Sequence, residues 1–168
     1  MGLPGNRKLN GGRVAMNEEP RITVGRAIST QALELVFAIR RTVFVEEQAV
    51  PEAEEYDEFE ENSRHFLAEI DGEPCGTARW RFTEGGVKME RFAVLPAYRG
   101  RGVGSALVTA VLADIDAQPE AVGRKRYLHA QLSAVPLYTK FGFQRLGALF
   151  YECDIAHFKM ELPPTNPS

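Results

Sequence analysis

With 168 residues, 44% of them hydrophobic and 26% charged, the chain is long enough for one domain with a substantial core and too short for two of ordinary size. A formal net charge of -3 argues against a generally nucleic-acid-binding surface, because phosphate binding rests on clustered Lys and Arg. Only Cys75 and Cys153 are present, no basic-then-apolar leader opens the chain and no apolar run approaches bilayer length, so a soluble protein in a reducing cytoplasm, without a membrane partner, is expected.

Residues 1–20 are rich in Gly, Asn and charge without periodicity and are read as a flexible tail, with Met16 as an alternative start. The domain is expected over 21–162, followed by a tail at 163–168. RITVGRAI (21–28) alternates as a strand, and Ser29 or Thr30 can cap a following helix whose apolar face includes Leu33, Val36, Phe37 and Phe44. Residues 46–61 then hold nine acids and no base around Pro51. This stretch reads as an irregular, partly helical connection, either solvated or forming a negative wall for a cationic acceptor.

RHFLAEID, CGTARWRFT and VKMERFAVL follow as three strands joined by DGEP and EGG turns, an antiparallel meander ending at Pro96. Val103, Ala106, Leu107, Ala110 and Val111 recur at helical spacing until Pro119. RKRYLHAQL reads as a strand, AVPLYTKF as a short helix closed by Gly142, and FQRLGALFY with DIAHFKMEL as a final pair. A mixed sheet with helices on its faces results.

LPAYRGRGVGSALV (95–108) places three glycines and two arginines between a strand and a helix. No Lys follows a glycine there, which excludes a P-loop, and the glycine spacing misses the dinucleotide fingerprint. What remains, Arg99-x-x-Gly102-x-Gly104, suits a diphosphate: free amides of a helix's first turn carry partial positive charge, and glycine lets phosphate approach them.

FAVLPAYRGRGVGSALV resembles the acyl-CoA-binding motif of the GNAT N-acetyltransferase superfamily, Arg/Gln-x-x-Gly-x-Gly/Ala. QLSAVPLYTKFGF resembles its downstream motif, with Gln131 where Asn is commoner, then Ala134, Tyr138, Gly142 and Phe143 in step. VFVEEQAVP, HFLAE, MERFAV, LHAQ and IAHFKM are similar to the ElaA-like branch. The resemblance covers residues 21–162. It implies an α/β domain with a mixed, mostly antiparallel sheet of about seven strands, splayed between the fourth and fifth, and helices on both faces.

The resemblance further implies acetyl-CoA as cosubstrate and a small amine as acceptor. The pantetheine arm would run along Phe92, Ala93 and Val94 as an added strand. The phosphates would lie at Arg99, Gly100, Arg101, Gly102, Val103, Gly104 and Ser105, with Gln131 also in contact. Tyr138 takes the place of the family's general acid toward the departing sulfur, and a main-chain N–H near Phe92 that of the oxyanion donor.

Glu90 lies two residues before Phe92, on the same side by alternation, and is the first candidate for the base; His65, Glu47 and His129 are rivals, as is water. Glu90 can instead pair with Arg79 or Arg91, and His129 and His157 can be satisfied strand residues. Arg40 and Arg41 are candidate anchors for an acidic group on the acceptor. A non-catalytic acyl-CoA-binding module and a protein or peptide acetyltransferase stay open. No His/Cys/Asp spacing suggests a metal, and the family's habits imply a homodimer.

Overall fold

The structure is a computed structural model describing residues 19–164. The expected tail 1–20 falls, up to residue 18, outside the described residues, as does 165–168. Seven strands form one sheet: β1 (Ile22–Arg26), β2 (Arg64–Ile70), β3 (Glu73–Thr83), β4 (Gly86–Val94), β5 (Arg126–Gln131), β6 (Gln144–Glu152) and β7 (Ile155–Leu162). Their spatial order is β1-β2-β3-β4-β5-β7-β6, antiparallel throughout except for β4 against β5. The helices are α1 (Thr30–Arg40), α2 (Glu52–Glu55), α3 (Val103–Asp116) and α4 (Val135–Lys140). This is the mixed, mostly antiparallel α/β architecture expected.

Alternation along β2 sorts side chains between two cores. Phe66, Ala68 and Ile70 meet Leu107, Val111 and Ile115 of α3, whereas Leu67 meets Val36 and Ile39 of α1. The two helices therefore cover opposite faces. Ser29 caps α1, its hydroxyl accepting from the Ala32 amide at 3.1 Å. The helix does not continue regularly through Phe44: Arg41–Glu47 widens into a π-helical turn, a form that recurs at functional sites.

The acidic run is only in part a solvated loop: Glu52, Glu54 and Glu58 are exposed, whereas Glu55, Asp57 and Glu60 meet buried guanidinium groups. Arg40, 1% exposed, meets Glu55 at 2.6 Å and Glu60 at 2.7 Å. Arg79, fully buried, reaches Asp57, Glu60 and Glu90 at 2.6, 2.6 and 2.5 Å. Arg91 adds Asp57 at 3.2 Å. The run folds over the α1 face of the sheet because buried guanidinium groups there need carboxylates. Arg40 is thus no acceptor anchor, while Arg41 pairs on the surface with Glu46 and Glu52.

Candidate active site

Strands β4 and β5 pair only at Val87 with Arg126 and Lys88 with Tyr127. They part beyond that point, as expected, leaving the far half of β4 without a ladder on that side. Gly86, at φ +134, lets the strands meet, since a Cβ there would run into the Lys125 carbonyl oxygen. Further along, Arg91 adopts φ +57 and the β3–β4 register shifts between Thr77 and Arg79, a β-bulge. Such a conformation costs about 1–3 kcal/mol outside glycine and gathers at functional sites.

The bulge overturns the expectation that Glu90 shares the side of Phe92. Met89 and Phe92 both join the α3-side core, three residues apart, and Ala93 joins the α1-side core. Glu90 turns to Arg79 and to Arg81, the latter at 2.7 Å. Burial opposes its charge, yet Arg79 and Lys88 outweigh that and hold the carboxyl below its ordinary range. A carboxylate so compensated is a poor proton acceptor.

At the glycine-rich turn, Gly100 and Gly102 hold φ +76 and +89, and Gly102 caps α3. Gly104 has a different role: a Cβ there would stand 3.2 Å from Leu137, so it lets α4 pack closely on α3. The amides of this first turn have no intrahelical acceptor. Beside them, Arg99 donates through Nε to the Val94 carbonyl at 3.0 Å and through Nη2 to Glu47 at 2.7 Å.

These elements enclose a cavity of about 520 Å³. Phe92, Ala93, Val94, Arg99, Gly100, Gly102, Val103, Gly104, Gln131 and Tyr138 line it, so the structure brings together most residues singled out in the sequence. Arg101 and Ser105 stand outside that lining; the Arg101 guanidinium lies over the Tyr98 ring, 5.7 Å from its centroid. Tyr138 is buried edge-on against Phe92 and Phe143, at 5.6 and 6.0 Å between centroids. Burial raises its phenol far above the ordinary value, so the hydroxyl keeps its proton.

Two smaller cavities adjoin. One of about 130 Å³ fills the splay and is lined by Tyr138, Gln131, Glu90, His129, Glu152 and His157. The other, about 360 Å³, opens beyond Gln131 between α2 and the β6–β7 turn, with Phe44, Val50, Glu54, Glu152, Cys153 and His157 among its walls. Gln48 and Gln131 border both this cavity and the 520 Å³ one.

The rival bases separate. His65 lies on the α1 face with Nε2 donating to the Glu60 carbonyl at 2.8 Å, and burial lowers its pKa. Glu47 is engaged by Arg99. His129 shares a 2.8 Å contact with Glu152, which that hydrogen bond holds below its ordinary range. Cys153 donates its thiol to Glu54 at 2.7 Å, and the carboxylate pushes it up to about 11. Sequence reasoning missed Gln48 as a wall of the site and treated His157 only as a strand residue. Gln48 stood inside the quoted VFVEEQAVP, but nothing local says that a π-helical turn brings it to β5.

Comparison with known proteins agrees with this geometry. A family model described as Acetyltransferase (GNAT) domain matches residues 25–163. The uncharacterized N-acetyltransferase YjcF of Bacillus subtilis is 40% identical over 136 residues, covering 80% of this chain and 94% of that protein. Among solved structures, Escherichia coli ElaA is 25% identical with a TM-score of 0.69, over 84% of this chain and 98% of that one. An acyl-CoA N-acyltransferase from Pseudomonas aeruginosa is 26% identical with a TM-score of 0.68, over the same shares.

Proposed function

The chain belongs to the GNAT acetyltransferase family, and on that premise we propose that it moves the acetyl group of acetyl-CoA directly to the amine of a small molecule, with Tyr138 as general acid. The observation that carries this reading is the 520 Å³ cavity that joins the glycine-rich turn, the unpaired edge of β4 and Tyr138. Diphosphate binds the first-turn amides of α3, and Arg99 exchanges Glu47 and the Val94 carbonyl for it. The pantetheine arm takes the place of a strand beside Phe92 and Val94, where released main-chain groups pair with its amides.

That alignment brings the thioester to the splay. The carbonyl oxygen gains negative charge as nitrogen attacks, and a main-chain N–H near Phe92 stabilises it. The carbon–sulfur bond then breaks and the Tyr138 hydroxyl gives its proton to the sulfur, a role suited to a phenol that burial keeps protonated. Glu90, neutralised by arginines, instead braces the bulge.

A small acceptor fits the 360 Å³ cavity, whose volume lies in the range of small-molecule sites and which α2 and the β6–β7 turn wall in. The test is thiol release from acetyl-CoA with pooled amines, aminosugars, amino acids and peptides. Release with small amines and not with peptides is expected. Release with peptides alone, or with no acceptor, contradicts the reading.

A further inference from the structure

Resting on the acetyl-transfer reading, we infer that the acceptor occupies the 360 Å³ cavity and that His157 Nε2 is the base that takes its proton. His157 belongs to β7, opposite Gln131 of β5 and opposite Phe150 of β6, and its ring stacks on Phe150 at 5.7 Å and 22°. The side chain is buried, yet it lines both the 360 Å³ cavity and the 130 Å³ cavity in the splay. Tyr138 lines the second of these as well. Acid and base therefore face one small space from opposite sides of the parted strands.

The tautomer follows from one contact. His157 Nδ1 stands 2.7 Å from the Ile155 carbonyl oxygen, which can only accept, so Nδ1 carries the hydrogen. Nε2 is left with its lone pair and, among the described residues, makes no hydrogen bond. An imidazole stacked on one side, anchored through one nitrogen and bare at the other is oriented as a general base. None of the rivals borders both the 360 Å³ and the 130 Å³ cavity: Glu90 and His129 line only the 130 Å³ one, Glu47 lines the 520 Å³ one, and His65 lines none of the three.

The proton balance closes without another reactant. Nε2 takes one proton from the acceptor ammonium, and the freed amine attacks the thioester carbon. The carbon–nitrogen bond forms, the carbon–sulfur bond breaks, and sulfur leaves as the thiol with the Tyr138 proton. The second proton on nitrogen returns to the phenolate through water, and His157 releases its own to solvent. Charged and titratable groups facing His157 are Glu152 on β6, Cys153 in the β6–β7 turn, His129 on β5, Lys88, Glu90 and Arg91 on β4, Glu54 and Glu55 on α2, and Tyr138 on α4.

The test compares His157→Gln and His157→Ala with the parent chain, using the best amine from the pooled assay. Turnover should fall about 100-fold, the usual weight of a positioned base, while acetyl-CoA affinity by calorimetry stays within about twofold, because the imidazole lines neither the phosphate turn nor the 520 Å³ cavity. The acid limb of kcat/KM against pH should disappear, and added imidazole should restore part of the His157→Ala rate. A retained limb in His157→Gln overturns the assignment, and so does a parent profile without one, which needs no variant. Acetyl-CoA binding without transfer to any amine overturns the acetyl-transfer reading instead.

Discussion

Gln48 and Gln131, 83 positions apart, hold each other through two amide hydrogen bonds of 3.2 and 2.8 Å, closing the boundary between the 520 Å³ and 360 Å³ cavities. With each bond contributing ~1 kcal/mol net, Gln48→Ala raises the parted population by up to about thirtyfold. Hydrolysis of acetyl-CoA without acceptor should rise in that variant, measured as acetate and thiol released together, while transfer to amine is kept. An unchanged hydrolysis rate means the pair does not partition the site.

Arg99 is held by Glu47 in a half-exposed pair, which contributes at most ~1 kcal/mol. Removing the competitor with Glu47→Gln should tighten coenzyme A binding by up to about fivefold at low salt and by nothing at high salt. Arg99→Gln should weaken binding. Calorimetry at two salt concentrations reads both, and equal affinity for all three chains rules Arg99 out of the phosphate site.

Tyr138→Phe preserves the ring contacts with Phe92 and Phe143 and deletes only the hydroxyl. Turnover is expected to drop by about 100-fold or more, with the melting temperature and coenzyme A affinity little changed. A variant as fast as the parent takes the phenol out of the reaction.

Arg79 is fully buried against Asp57, Glu60 and Glu90. Arg79→Met leaves those carboxylates without their shared cation and should cost ~3–5 kcal/mol in urea unfolding. Replacement by a residue that unfolds at the same urea concentration would show that the network is solvated.

The same network sets a pH dependence. Burial disfavours the charged forms of Asp57 and Glu60, but hydrogen bonds from Arg79 and Arg40 prevail and hold both below the ordinary carboxylate range. Groups whose folded pKa is depressed contribute stability that is complete above the unfolded value of ~4 and is lost as pH falls through the folded one. Urea midpoints should therefore be flat toward neutrality and decline below about pH 4. Arg79→Met should flatten that decline, and an equally steep one in the variant would place its origin elsewhere.

Much of the fold was legible locally. Period-two runs marked β2 to β4, the helical spacing of Val103, Leu107 and Val111 marked α3, and the glycines at 100, 102 and 104 marked a turn requiring bare backbone. Each of those signals depends on a residue and its near neighbours, which a linear reading contains. The opened β4–β5 edge and the cavity beside Tyr138 were reached through family resemblance, which summarises three-dimensional information that spacing lacks.

The rest was decided by pairing across the sheet. Nothing near Arg91 announces positive φ; the bulge arises from the register of β3 against β4, and it turns Glu90 toward arginines and away from Phe92. The acidic run looked like a surface because its partners, Arg40, Arg79 and Arg91, lie on other elements. Gln48 meets Gln131, and His157 comes to the same cavity, only after a π-helical turn and the β5–β7 ladder are in place. Composition and periodicity determine which elements form, because their energies are short-range; which side chains share a cavity depends on register and bulges, which exist only once distant strands have paired.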